Sequence, residues 1–256
     1  MPPRSLLRSV LRHSARDLLI GLSVTICIGL ALFLDAQATL AQQYTLGLIA
    51  WSILLVLLRG EAPAVRLQVA VAVLFAWFGE YISSPVLGSY IYRLENLPAY
   101  VPPGHGMVYL AAVALGRCLL FQRYRLGLTV LALLLGALWS LWGVTLAGRG
   151  DAAGAVLFCV FMGFIFFGRA PLVYVAAFFL TSYLELLGTW LGTWVWSVHW
   201  PIIGITQANP PSGTAAWYCL VDAVALAGAP ILARGLIRLR KSTAAPRSTS
   251  QAAQLN

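Results

Sequence analysis

Eight apolar stretches, separated by short polar segments, run along the chain. They are Leu18 to Leu34, Tyr44 to Leu58, Leu67 to Ser84, Met107 to Phe121, Leu126 to Leu146, Ala152 to Gly168, Pro171 to Trp190 and Thr214 to Ala233. None alternates polar and apolar positions as barrel strands do, and lipid otherwise admits only helices as spanning structures. The pattern predicts an all-α, polytopic integral membrane protein with about eight transmembrane helices.

Composition excludes a water-soluble globule. The chain is 60% hydrophobic and 10% charged, whereas soluble domains carry about 25% charged residues. The net charge of +9 would indicate nucleic acid in a soluble protein, but the basic residues lie at the ends of the apolar stretches. Membrane lipids with anionic headgroups are therefore the expected partners, and nucleic acid is not. The four cysteines are scattered singly, as small buried hydrophobes are, rather than spaced as metal ligands or disulfides.

The first apolar stretch admits two interpretations. Four arginines precede it and the small-residue sequence Asp35-Ala36-Gln37-Ala38 follows it, an arrangement that a cleaved signal peptide shares. The stretch is longer than the roughly 7–15 residues of a signal-peptide core. A first transmembrane helix is therefore the preferred interpretation.

The basic residues predict the orientation. With the N-terminus inside, fifteen of the 17 basic residues fall on the inner side and only Arg93 and Arg149 on the outer side. This asymmetry fits the positive-inside rule. It predicts a protein of the plasma (inner) membrane with both termini in the cytoplasm.

A duplicated pattern ends each half of the chain. Aligning Glu80 with Glu185 brings further residues together: Gly88 with Gly192, Tyr90 with Trp194, Tyr92 with Trp196, Pro98 with Pro201, Pro102 and Pro103 with Pro210 and Pro211, and Tyr109 with Tyr218. Each half holds an even number of helices, so the halves are predicted to be parallel repeats related by an axis along the membrane normal. The predicted organisation is a basic cytoplasmic N-tail over 1–17, repeats over 18–121 and 126–233, and a basic, disordered cytoplasmic C-tail over 234–256.

Four residues are candidates for catalysis. Glu80 and Glu185 are predicted at matching depths in the outer third of the hydrocarbon, where ionisable groups usually face a cavity or a partner; alternatively, each caps a helix or pairs with Arg93. Asp222 is predicted near the midplane and has no acidic counterpart in the first half, and a structural hydrogen bond to Tyr218 is the alternative. His105 is predicted in an outer loop, where a hydrogen-bonding role at the interface is the alternative.

Aromatic and polar side chains of the two duplicated stretches are candidates for ligand binding. They are Tyr90, Tyr92, Arg93, Tyr109, Trp194, Trp196, His199, Asn209, Trp217 and Tyr218. An aromatic belt at the membrane interface is the alternative explanation for most of them. Inward-facing members would form an outward-opening apolar pocket whose π faces stabilise a cation. The histidines lack the spacing of metal ligands, so no metal site or other cofactor is predicted.

The pattern of a glutamate at a helix end, then G-x-Y-x-Y, then a proline-containing loop leading into a helix resembles the membrane-bound carotenoid-biosynthesis proteins. These include the carotenoid hydratases and, more distantly, the lycopene cyclases built from repeated helical units. The residues that carry the resemblance are Glu80, Gly88, Tyr90, Tyr92 and Pro98, echoed by Glu185, Gly192, Trp194, Trp196 and Pro201. The resemblance implies acid-initiated hydration or cyclisation at the end of a polyene, without a redox cofactor.

Two other functions stay open. A small proton-coupled transporter would also use repeats and intramembrane acids. A non-catalytic membrane subunit, bound to a lipid, to a membrane-protein partner or to a second copy of itself, would need only the aromatic belt and the loops.

Overall fold

A computed structural model describes residues 4–243 of the chain. In this range the chain forms nine α-helices and two short β-strands: α1 (Arg4–Asp35), α2 (Leu40–Leu58), α3 (Pro63–Tyr81), β1 (Tyr90–Tyr92), α4 (Val101–Arg117), α5 (Leu119–Arg123), α6 (Arg125–Thr145), α7 (Ala152–Phe167), α8 (Pro171–Trp190), β2 (Trp194–Trp196) and α9 (Ala215–Thr243). The prediction of an all-α fold is confirmed.

Several of these helices are able to cross a membrane. Within the described residues, six segments are long and apolar enough: Val10–Asp35, Leu40–Leu58, Pro63–Val86, Arg125–Thr145, Pro171–Trp190 and Ala215–Arg238. The apolar α7, with 16 residues, is shorter, and α4 has 17 residues. A membrane-embedded protein is therefore confirmed, whereas the count of eight spans stays a prediction.

Three helices extend furthest beyond the stretches predicted from the sequence. Helix α1 begins at Arg4, so most of the predicted N-tail is helical, and α9 continues to Thr243, ten residues into the predicted disordered tail; residues 244–256 lie outside the described range. Helix α4 begins at Val101, so the segment predicted as an outer loop around His105 is helical. Two prolines fit this start because the first turn of a helix needs no N–H donors.

Local signals in the sequence set several helix starts. Thr39 and Gln42 form a capping box at the start of α2, in which each side chain bonds the other residue's backbone N–H. Asp151 caps α7 by accepting from the N–H of Gly154 at 3.1 Å. Prolines stand in the first turns of α3 and α8, where the missing N–H costs nothing.

Helices α3, α4, α8 and α9 form the centre of the molecule. Helix α3 packs against α4 and α9, α4 packs against α1 and α8, and α8 packs against α9. Residues of α4 such as Tyr109, Leu110 and Ala111 are completely buried. A separate aromatic cluster around Phe158, Phe161 and other side chains of α6, α7 and α8 forms a second core. The four central helices enclose the region that holds the candidate site.

The chain leaves α3 and α8 by similar routes. After α3 it makes a π-helical turn over Ile82–Val86, a conformation frequent at functional sites. Gly88 then adopts φ +64°, and Gly192 adopts φ +71° after α8, a backbone region that suits residues without a Cβ. Strands β1 and β2 follow directly and pair antiparallel.

A cluster of four charged side chains ties α1 to the start of α3 and the end of α4. Arg117 donates to both carboxylate oxygens of Asp17 at 2.8 and 2.6 Å, and to both oxygens of Glu61 at 2.9 and 2.8 Å. Arg16 donates to Glu61 at 2.7 Å. Such two-pronged Arg–carboxylate pairs are among the strongest hydrogen bonds in proteins.

Candidate functional site

A cavity of about 230 Å³ lies between the central helices and the two loops that carry β1 and β2. Side chains from α1, α3, α4, α8 and α9 line it, and most of them are aliphatic or aromatic. The carboxyl side chains in its lining are those of Glu80 and Glu185, and no lysine or arginine of the described chain lines it. The cavity therefore combines apolar walls with two acidic groups.

Glu80 is held by three hydrogen-bond partners. Its Oε2 accepts from the hydroxyls of Tyr90 at 2.6 Å and Tyr92 at 2.7 Å, and its Oε1 lies 2.9 Å from Nε2 of His105. The two tyrosines are two positions apart in β1 and both are buried, while Ile91 between them is exposed. Both oxygens of Glu80 are thus occupied by partners, an arrangement suited to a carboxylate.

The tyrosines remain donors over the whole physiological pH range. Burial raises the pKa of Tyr90 and of Tyr92 well above the ordinary value of 10.0. Because an ionised Glu80 can only accept, Nε2 of His105 must carry the hydrogen in their contact. The imidazole also stacks on the ring of Tyr218, with centroids 4.9 Å apart. These contacts give His105 a fixed position beside the cavity.

Glu185 is held on one oxygen only. Its Oε2 accepts from the indole N–H groups of Trp194 at 3.1 Å and Trp196 at 3.0 Å. Among residues 4–243, Oε1 has no hydrogen-bond partner and is not enclosed by protein atoms. Because Glu185 lines the cavity, Oε1 is the oxygen available to a ligand. Protonation of Glu185 at Oε1 would break no existing hydrogen bond, whereas protonation of either oxygen of Glu80 would displace a donor.

The two strands connect the two glutamates. Their paired residues are Tyr90 with Trp196, Ile91 with Val195, and Tyr92 with Trp194. The ring centroids of Tyr90 and Trp196 are 4.6 Å apart and those of Tyr92 and Trp194 are 6.1 Å apart. The partners of one carboxylate therefore pack directly on the partners of the other, and Gly188 leaves room for the ring of Trp194.

Two residues of the second half that line the cavity carry hydroxyl groups. In the described part of the chain, neither Thr214 Oγ1 nor Tyr218 Oη has a hydrogen-bond partner. Thr214 is 2% exposed and lies one helical turn before Tyr218. Together with Oε1 of Glu185, these hydroxyls form a set of free oxygens on the wall of the cavity.

Most of the residues predicted for the site come together. Those in the lining are Glu80, Glu185, His105, Tyr90, Tyr92, Trp194, Trp196, Trp217 and Tyr218. Five do not line it: Asp222, Arg93, Tyr109, His199 and Asn209.

The five remaining residues have other surroundings. Asp222 is 2% exposed, and its Oδ2 has no hydrogen-bond partner in the described chain. Tyr109 donates to Gln68 at 3.2 Å. Arg93 pairs with no acid of the described chain; its Nη2 donates to the carbonyls of Asp35 at 2.6 Å and Ala38 at 2.5 Å. His199 is exposed, and Asn209 accepts from the backbone N–H of Trp196 at 2.9 Å.

Sequence reasoning missed a set of polar residues that fix the loops next to β1 and β2. Asp35 accepts from Tyr100 at 2.9 Å, and Asp151 accepts from the N–H groups of Ala208 at 2.9 Å and Ser212 at 2.8 Å. Gln207 is 2% exposed and donates to the carbonyl of Ser89 at 3.0 Å. The signal available was the position of Asp35 and Asp151, which follow the first apolar stretch of each half.

Across the described residues, no three His, Cys, Asp or Glu side chains come together as metal ligands do. Comparison of the chain with protein-family models, with curated proteins and with solved structures found no match.

Proposed function

We propose that this membrane protein binds the end of an isoprenoid or similar apolar lipid in the cavity and catalyses acid-initiated hydration or cyclisation of its terminal double bond. The observation that carries the proposal is the pair of glutamates in one aromatic-walled cavity. Glu80 has donors on both oxygens, whereas Glu185 keeps one oxygen free toward the cavity. The two carboxyl groups are thus suited to different roles.

In the proposed reaction, Glu185 gives the proton on Oε1 to one carbon of the double bond. A C–H bond forms, the π bond breaks, and the positive charge develops on the neighbouring carbon. The faces of the surrounding tryptophans and tyrosines attract this charge. In hydration, a water molecule then attacks the cation and the oxygen releases a proton. In cyclisation, a second double bond attacks the cation, a C–C bond forms, and the positive charge moves to a carbon whose neighbour then loses a proton. In both cases the released proton returns to the Glu185 carboxylate.

The size of the cavity supports binding of a chain end rather than of a whole lipid. Pockets for drug-sized ligands measure about 300–1,000 Å³, and this cavity measures about 230 Å³. Ile202 and Trp217 line it and are 62% and 40% exposed. A long ligand would leave the cavity beside these two residues and continue into the outer leaflet.

We further propose that the chain crosses the plasma membrane eight times as two parallel repeats. The register of β1 and β2 supports the duplication: Tyr90 pairs with Trp196, the equivalent of Tyr92, and Tyr92 pairs with Trp194, the equivalent of Tyr90. A two-fold axis between the strands requires this reciprocal pairing. Each glutamate also accepts from the two aromatics of the strand that follows it.

Reporter fusions test this topology. Fusions after Arg125 and after Lys241 should read cytoplasmic, because basic residues collect on that side, and a fusion near Pro103 should read external. A cytoplasmic result near Pro103 would contradict both the topology and the external position of the cavity.

Isotope transfer tests the chemistry. The purified chain, in lipid nanodiscs made with deuterated water, is incubated with lycopene or with the isoprenoid extract of the expression membrane. We expect carbon-bound deuterium in a hydrated or cyclised product, because protonation of the double bond forms a C–D bond. After exchangeable deuterium is washed out, mass spectrometry measures the label. Bound polyene that remains unlabelled and unchanged would contradict the proposal.

A second candidate function, proton-coupled transport, is favoured by one observation. Asp222 is buried in a segment able to span the membrane, and its Oδ2 has no hydrogen-bond partner in the described chain. Intramembrane acids of this kind mark proton relays in transporters. Uptake of an unchanged ligand into proteoliposomes, driven by an imposed pH gradient, would support transport over catalysis.

A further inference from the structure

The cavity lining holds acidic side chains that no lysine or arginine of the described chain balances. The chain carries 17 basic residues, yet among the described residues the lining contains two glutamates and neither lysine nor arginine. The two basic residues of the outer loops are engaged elsewhere: Arg93 donates to the carbonyls of Asp35 and Ala38, and Arg149 donates to those of Gln207 and Trp196 at 2.7 Å each. Among the described residues, no lysine or arginine is therefore placed to neutralise an anionic ligand in the cavity, and the imidazole of His105 in the lining is directed at Glu80.

Four donors around the cavity are already used. The hydroxyls of Tyr90 and Tyr92 are directed at Glu80, and the indole N–H groups of Trp194 and Trp196 are directed at Glu185. A phosphate or carboxylate ligand would have to compete with the protein's own carboxylates for these donors. The burial of an unpaired anion is costly, so the cavity disfavours anionic headgroups.

The groups that remain available attract positive charge. Oε1 of Glu185 and the hydroxyl of Thr214 present free lone pairs. The rings of Trp200, Trp217 and Tyr218 also line the cavity, and aromatic faces attract cations within about 6 Å of the ring centroid, tryptophan most strongly. Aromatic cages of this kind bind quaternary ammonium groups in other proteins.

We propose that the cavity is a binding site for organic ammonium ligands, tertiary or quaternary amines with apolar substituents. The ammonium group lies against the aromatic rings and pairs with Glu185 after the proton of this glutamate has left to solvent. The inference rests on the proposed function for the location of the site and deepens it, because an ammonium group would occupy the place of the developing carbocation. It does not require that any reaction take place.

Three probes of similar shape and different charge test the inference on the unmodified chain. They are benzyltrimethylammonium, its neutral carbon isostere neopentylbenzene, and the anion benzylsulfonate. Binding to the full chain in nanodiscs is measured by titration calorimetry, with protein-free nanodiscs subtracted. We expect the ammonium to bind at least tenfold more tightly than the neutral isostere, and the anion not to bind. Absence of ammonium binding, or equal binding of the neutral isostere, would overturn the inference.

Matched variants locate the binding. Glu185→Gln should weaken ammonium binding at least tenfold and leave binding of the neutral isostere unchanged, because only the counter-charge is removed. Trp217→Leu should weaken ammonium binding, whereas Trp142→Leu, on the exposed face of α6 away from the lining, should not. Equal effects of the two tryptophan variants would place the ammonium outside the cavity and overturn the inference.

The outcomes separate this inference from the proposed function. Selective ammonium binding without deuterium transfer would support the ammonium site and remove the acid catalysis. Deuterium transfer with equal affinity for all three probes would remove the ammonium site and leave the catalysis.

Discussion

Replacing Arg117 with methionine should lower the free energy of unfolding by about 3 kcal/mol. The guanidinium joins Asp17 and Glu61, whose side chains are 8% and 2% exposed. Its removal would leave Glu61 paired with Arg16 and would take from Asp17 its ion-pair partner in the described chain. Breaking a buried pair in this way costs about 3–5 kcal/mol. We expect the lower end because the Arg117 side chain is itself 34% exposed. Unfolding by SDS titration in mixed micelles measures the change.

The matched control is Arg125→Met, because Arg125 is exposed at the start of the neighbouring α6 and no ion pair joins it to a described residue. This variant should change the free energy of unfolding by less than about 0.5 kcal/mol. Equal losses in the two variants would show that the carboxylates are not held by Arg117 and would contradict the prediction.

Acid should weaken the same cluster. Burial alone would raise the pKa of Glu61, but the hydrogen bonds and charges of Arg117 and Arg16 outweigh it and hold this pKa below the ordinary value of 4.5. A carboxyl group with a lowered folded-state pKa stabilises the protein above its unfolded-state pKa, and this contribution is lost as the pH falls through the folded-state pKa. The difference in stability between the Arg117→Met variant and the unmodified chain should therefore shrink below about pH 4.5.

The helices were predictable because lipid imposes a simple rule on the chain. Every backbone polar group must be satisfied within the segment, so long apolar stretches become helices whatever their partners. Helix α8, Pro171–Trp190, has the predicted bounds for this reason. The sequence predicts the start of α4 at Met107 instead of Val101, because Pro102 to Gly106 resemble a loop. Prolines in a first helical turn, however, cost no hydrogen bond.

The site was predictable as a set of residues but not as a geometry. The spacing of Tyr90 and Tyr92 puts them on one face of a strand, and the duplication marked the two glutamates as equivalent. The cross-pairing of β1 with β2 is a contact between residues about a hundred positions apart, and no local pattern predicts it. The difference between Glu80 and Glu185 has another origin, because two tyrosines donate to Glu80 where two tryptophans donate to Glu185, and His105 lies beside Glu80.

Glu185→Gln should reduce deuterium transfer to the product at least about 100-fold, because a positioned acid contributes about 10²–10⁴-fold to such a step. The geometry makes this substitution conservative in all other respects. The amide oxygen can accept from Trp194 and Trp196 as Oε2 does now, and the amide nitrogen would take the place of Oε1, which has no donor against it. Thermal unfolding of the variant in detergent should therefore match that of the unmodified chain.

The leucine substitution separates chemistry from packing. Glu185→Leu should lose activity and also stability, by about 1–3 kcal/mol for each of the two buried indole N–H groups left without an acceptor.

Glu80→Gln is less conservative than Glu185→Gln, since its amide nitrogen must face either the tyrosine hydroxyls or Nε2 of His105, all of which now donate. If the Glu80→Gln, Glu185→Gln double variant were folded and fully active, neither glutamate would be the acid. The cavity would then be a binding site only, because the double variant keeps the aromatic walls and loses the titratable protons.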